Sequence, residues 1–162
     1  MKIGVPMEPE GETRVAIVPG SMKKLQKAGF EVIVEKGAGI EANYSDSDYI
    51  DAGANIGERN DVMACEILIS IRLPDTSELS KGQIVACVAD PFRHPEKVKA
   101  CIDGGITLMS MDMIPRRLSR AQSMDVNSSQ DNLAGYKAVL LGAAHVPRGI
   151  PMMTTSAGTV RP

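Results

Sequence analysis

Short apolar, β-branched runs alternate with helical segments that open on proline and close on glycine, and this alternation constrains the fold more than any other feature. Residues 2–5, 31–35, 66–71, 83–88 and 106–109 read as buried strands bounded by breakers. Between the first two lies Pro19-Gly-Ser-Met-Lys-Lys-Leu-Gln-Lys-Ala-Gly29, where proline suits the first helical turn and glycine the end. Met22, Leu25 and Ala28 form its inward stripe at helical spacing. Residues 95–104 repeat the device, with Val98, Cys101 and Ile102 facing inward. Residues 49–52 and 59–64 read as shorter helical pieces. Strands separated by helices predict an α/β fold: a Rossmann-like or flavodoxin-like parallel sheet flanked by helices, with right-handed crossovers. Ligands of such sheets collect at the carboxyl ends of the strands. Those ends carry residues 8–14, 37–39, Arg72, 90–93 and 112–122, so the functional candidates are expected along one edge.

The pattern changes near residue 127. A helix over residues 127–145 is longer than the others, with Leu133, Tyr136, Leu140 and Ala144 as an apolar seam and Gly135, Ala138 and Gly142 as a stripe of small residues. Glycine costs about 1 kcal/mol against alanine in a helix, so this face is expected to let another backbone approach, from a second subunit or another domain. The expected organisation is an α/β domain over 1–126, a long connecting or dimer helix over 127–146, and a linker over 147–162. Aromatic residues make up 3% of the chain, which predicts an aliphatic core, and the ten methionines suit an adaptable one. A net charge of −2 argues against a nucleic-acid binder. Cys65, Cys87 and Cys101 sit in apolar contexts without Cys-x-x-Cys spacing, which fits buried thiols in a reducing cytoplasm and no metal site. The chain starts directly on a strand with no visible targeting segment, and no apolar run approaches the ~20 residues of a membrane helix. Any membrane association is expected to come through a partner.

Several residue groups can carry chemistry, each beside a structural reading. Arg14, in Glu12-Thr-Arg14, could hold a carboxylate or phosphate in fork geometry, or equally pair with Glu10 or Glu12. Gly37-Ala-Gly39-Ile-Glu-Ala42 matches a dinucleotide fingerprint in form. However, Asn-Tyr-Ser-Asp follows instead of a helix, so a glycine turn is the better reading. His94 reads as a surface residue at a helix start, and His145 as a charge suited to a helix C-terminus. The most informative stretch begins at Pro115. Arg116, Arg117 and Arg120 precede Gln122, Asp125 and Ser128, which are spaced i, i+3, i+6 into the long helix. Asp125 and Ser128 are cap or first-turn residues, and the donors ahead of them make the loop fit to grip an amide and a sugar hydroxyl together.

With these residues in view, the chain resembles a known family. Met1-Lys-Ile-Gly-Val-Pro followed by Glu12-Thr-Arg-Val-Ala16 looks like the start of the alanine dehydrogenase and transhydrogenase superfamily, and Phe30-Glu-Val-Ile-Val-Glu-Lys-Gly-Ala-Gly39 is similar to its second-strand signature. Ser119-Arg-Ala-Gln-Ser-Met-Asp125 with Asn132-Leu-Ala-Gly-Tyr136 resembles the transhydrogenase branch, the NAD(H)-binding alpha component of proton-translocating NAD(P) transhydrogenase. The resemblance covers essentially the whole chain. It implies that Arg117, Asp125 and Ser128 hold and orient the nicotinamide carboxamide and ring of NAD(H). Gln122 would bridge toward NADP(H) on a partner component. In that reading Gln122 and Asp125 are the catalytic residues, although none acts as a nucleophile. Hydride transfer then rests on positioning of two nicotinamides. It further implies a homodimer, a membrane component that moves protons, and a cytoplasmic position at the inner membrane through partner subunits. Alanine dehydrogenases carry a catalytic histidine where this chain has Asp90, and a lysine where it has Arg72, which turns the resemblance toward transhydrogenase. The family's G-x-G-x-x-G unit lies beyond Ser156-Ala-Gly-Thr-Val-Arg-Pro162, so these residues alone are expected to bind NAD weakly and not to turn over.

Overall fold

The central strand β1 (Lys2–Val5) carries Ile3, Gly4 and Val5 fully inside the sheet, and Gly4 is what lets it be covered. A β-carbon on Gly4 would collide with the backbone carbonyl of Val62 on helix α3 (Arg59–Met63), so only glycine permits this close approach of helix to strand. The computed structural model describes residues 1–147 and 149–161. Around β1 the chain lays down β2 (Glu31–Glu35), β3 (Asn55–Gly57), β4 (Ile67–Arg72), β5 (Ile84–Val88) and β6 (Thr107–Ser110). The order across the sheet is β3-β2-β1-β4-β5-β6, every pairing parallel. The connections include α1 (Met22–Lys27), α2 (Asp46–Asp51), α3 and α4 (Pro95–Asp103). This is the expected α/β architecture with helices flanking a parallel sheet.

The chain folds as two units, Met1–Ile114 and the residues from Pro115 onward. In the first unit one buried cluster joins Ile3, Val5, Val32, Val34, Met22 and Tyr49, and another joins Leu68, Val85, Cys65 and Cys87. Tyr49, wholly buried, donates its hydroxyl to the Ile17 carbonyl at 2.8 Å. Gln83, also buried, donates to the carbonyls of Met63 and Cys65 at 2.6 and 2.8 Å, so the polar side chains inside are satisfied. Burial pushes the Tyr49 hydroxyl and the Cys87 thiol up to about 12.

Three details differ from the pattern read in the sequence. Strand β3 has only one apolar residue, Ile56, and is created by pairing with β2 rather than by its own periodicity. Ala28 caps the end of α1 exposed to solvent, and Ile102 in α4 is 70% exposed although Val98 and Cys101 beside it turn inward. Both helices are short, so a stripe drawn across their full length overruns the part that touches the sheet.

In the second unit, α5 (Val126–His145) is followed by an antiparallel hairpin of β7 (Met153–Thr155) and β8 (Gly158–Val160), within the stretch that the sequence reads as a linker. No helix among the described residues is long and apolar enough to cross a membrane.

Candidate functional site

The loop that leads into α5 is built around one carboxylate. Asp125 stands at the N-cap with extended backbone, its Oδ1 accepting the Ser128 backbone N–H at 3.0 Å and its Oδ2 the Ser128 hydroxyl at 2.6 Å. The Asp125 carbonyl accepts the Ser129 hydroxyl at 3.0 Å. A carboxylate there answers the unpaired N–H groups and the positive end of the helix dipole. The Ser128 hydrogen bonds hold the Asp125 carboxyl below its ordinary range, with Arg116 adding to the effect. Arg116 reaches back to both Asp125 and Asp131, each at 3.7 Å.

Residues 115–121 are turns stabilised by backbone bonds such as Ala121 N–H to the Leu118 carbonyl at 2.8 Å, and Gln122–Met124 form one tight helical turn before the cap. The loop thus brings Asp125 and Ser128 together with Arg116 and Asp131. It leaves Arg117 and Gln122 exposed, with side chains that make no hydrogen bond or ion pair among the described residues. In the sequence Arg116 is one of several donors ahead of the cap. Its pairing could not be read there, because the turns between it and the cap have no regular period.

In the first unit the carboxyl ends of β1 and β4 form a second polar centre. Glu8, just past β1, accepts the backbone N–H groups of Ile71 and Arg72, at 2.5 and 2.9 Å. Those donors are available because the β4–β5 register shifts between Ile69 and Arg72. Burial drives the Glu8 carboxyl above its usual range despite these bonds. Glu12 holds Arg14 in a fork, Nε at 2.6 Å and a terminal nitrogen at 2.7 Å, and also accepts Arg72 Nε at 3.1 Å. The paired reading of Arg14 is therefore the one observed. At the end of β5, Asp112 accepts the backbone N–H groups of Ala89 and Asp90 at 3.2 and 3.1 Å and the Ser110 hydroxyl at 2.5 Å. It thereby fixes Asp90 at φ 46°, a left-handed backbone rare outside glycine. No local pattern in the sequence marks Glu8 or Asp112, since each serves backbone groups more than 20 residues away. His94 sits exposed at the start of α4 with Nδ1 3.3 Å from Glu96. The Gly37–Gly39 turn carries no helix of nucleotide-binding length, and Gly37 N–H is taken by Asp46 at 2.9 Å.

Residues 4–134 match the model of the alanine dehydrogenase/PNT N-terminal domain family. The chain belongs to that family. Among curated proteins, this family member is 39% identical to NAD(P) transhydrogenase subunit alpha of Cereibacter sphaeroides, over 100% of this chain and 32% of that protein. Its identity to the first portion of the Rhodospirillum rubrum NAD(P) transhydrogenase alpha subunit is 42%, over 100% of this chain and 45% of that protein. It superposes on the crystal structure of transhydrogenase from Sinorhizobium meliloti with a TM-score of 0.91 and 40% identity, over 99% of this chain and 49% of that one. An L-alanine dehydrogenase structure aligns less well, with a TM-score of 0.68 and 28% identity over 75% of this chain and 34% of that one. The family member thus spans less than half the length of these relatives.

Proposed function

We propose that this chain supplies the nicotinamide-side loop of an NAD(P) transhydrogenase alpha component. The observation that carries the reading is the division of labour in the loop before α5: Asp125 and Ser128 are locked together at the helix mouth, while Arg117 and Gln122 present unengaged donors. Rigid cap groups and free polar arms suit an amide-bearing ring, which asks for donors and acceptors at fixed separation. Arg117, Asp125 and Ser128 would hold the carboxamide and ring of NAD(H), and Gln122 would reach toward NADP(H) carried by a partner component. The bound nucleotides supply the hydride chemistry; these residues bind, orient and exclude misaligned encounters.

The greater likeness to transhydrogenase alpha subunits than to alanine dehydrogenase supports this choice. So does a carboxylate, Asp90, in the position where alanine dehydrogenases carry their histidine. The pyrophosphate and adenosine would be held outside these residues. In the working assembly the reaction is that of a Re/Si-specific, proton-translocating transhydrogenase, with the chain paired as a homodimer. Its NADP(H)-binding and membrane components place it at the cytoplasmic face of the inner membrane. The exposed apolar residues of α5, Leu133 and Tyr136 among them, support an associated state.

The test is steady-state hydride transfer in the complete assembly. Gln122→Ala should lower kcat with little change in NADH affinity, and Arg117→Ala should weaken NADH binding, each by roughly ten-fold or more, as expected for loss of a charge-assisted or aligned hydrogen bond. Normal kinetics in both variants would remove the loop from the active site.

A further inference from the structure

The turns before α5 hold themselves together over short range. Within residues 115–125 the backbone bonds reach three or four positions, Leu118 N–H to the Pro115 carbonyl at 3.3 Å and Gln122 N–H to the Leu118 carbonyl at 3.2 Å among them. Turns of that reach do not fix where the start of the loop lies against the helix that follows. Among the described residues, the side chain that carries the start of the loop back to α5 is that of Arg116.

Its two targets share one face of the helix. Asp125 folds over Ser128, and Asp131 stands three positions beyond Ser128, where side chains of a helix are neighbours. The guanidinium lies along that face, with Nε 3.7 Å from Asp125 Oδ2 and Nη2 3.7 Å from Asp131 Oδ2. Two carboxylates on one face repel each other, and a planar cation with donors on two sides offsets both charges at once. The Asp125 side chain is 9% exposed and that of Asp131 75%, so the bridge has a covered end and an open one. Arg117 is the next residue, exposed and with its side chain unengaged. Anchoring residue 116 narrows the directions in which the backbone can present residue 117, and so lowers the entropy lost when that side chain is ordered on a ligand.

We propose that Arg116 is a positioning residue: by pairing with Asp125 and Asp131 it closes residues 116–125 into a ring against α5 and fixes the backbone from which Arg117 meets the carboxamide of NAD(H). The inference rests on the nicotinamide-side reading of the loop and adds to it a residue that touches no nucleotide. Arg116 acts through its neighbour, so its loss weakens binding less than the loss of Arg117 does.

Arg116→Ala, Asp131→Asn and the double variant test this beside Arg117→Ala. In the complete assembly Arg116→Ala should raise the KM for NADH roughly three- to five-fold with kcat close to native, since an exposed ion pair is worth a few-fold at most. Asp131→Asn should give a smaller rise, and the double variant no more than Arg116→Ala, because the second change removes a pair already lost. In the full chain, hydrogen exchange at the Leu118 and Ala121 amides should accelerate in the same order. Unchanged exchange in Arg116→Ala, or an Asp131→Asn effect that adds to it in full, would overturn the ring. Faster exchange with a native KM, while Arg117→Ala still weakens NADH binding, would overturn the positioning role and leave the reading of the loop standing. Native kinetics in Arg117→Ala would instead remove that reading, and the role with it.

Discussion

A β-carbon on Gly39 would stand 2.6 Å from Cε2 of Tyr49. The same carbon would lie 2.8 Å from the Tyr44 carbonyl oxygen, so Gly39 serves the packing of two tyrosines rather than the approach of a phosphate. Gly39→Ala should therefore destabilise the chain by about 1–3 kcal/mol, as overpacking does. Urea unfolding checks this, and a midpoint equal to that of the native chain would contradict it.

Asp112 satisfies two backbone N–H groups at the end of β5 and keeps Asp90 in its left-handed conformation. Asp112→Ala leaves both donors without their carboxylate, and about 1–3 kcal/mol of stability should go with it. Hydrogen exchange at Ala89 and Asp90 should accelerate more than at the β5 amides, a local signature that a general loss of stability would not produce.

Glu8 and Glu12 should shape the pH profile in opposite directions. The Arg14 hydrogen bonds hold Glu12 at about 2, below its unfolded value, so the stability it contributes is complete above 4.5 and fades as pH falls toward about 2. Glu8 is raised by burial: the folded chain keeps its proton longer than the unfolded one, so stability declines as pH rises from 4.5 through the folded value and is constant above it. Glu12→Gln should flatten the acid limb below pH 4.5, whereas Glu8→Gln should flatten the limb just above it. Denaturant midpoints across that range read both.

All three cysteines are buried, with Cys87 pushed up to about 12 by its surroundings. A thiol that is both covered and protonated is a poor nucleophile. Under native conditions at neutral pH a disulfide reagent should label none of them within minutes, and denaturant should release all three. Rapid labelling of Cys87 in the folded chain would show that its cover opens.

Among the described residues, nothing within 4 Å would meet a β-carbon at Gly135 or Gly142 on α5. Gly135→Leu should therefore leave the fold of the chain intact, while any dimer that uses this face should dissociate in sedimentation. A dimer that persists would place the interface elsewhere.

Much of the fold was legible because strand and helix signals are local. The runs at residues 2–5 and 31–35 became β1 and β2 with the same bounds, and Pro95 opened α4 as read. β3 was not legible, since Asn55-Ile-Gly57 has no pattern until β2 lies beside it. At the candidate loop the cap formed by Asp125 and Ser128 followed from spacing, whereas the engagement of Arg116 and the freedom of Arg117 did not, because irregular turns decide which of two adjacent arginines points back.

Periodicity and breakers in the chain itself determined the α/β class, the parallel sheet and a long final helix, because these depend on residues a few positions apart. Only the tertiary structure decided that Arg72 meets Glu12, that Glu8 caps the open end of β4, and that Asp112 pins Asp90. Each of those contacts depends on the order in which strands lie side by side. That order comes from how the whole set of apolar faces is buried at once, and no local stretch of sequence carries it.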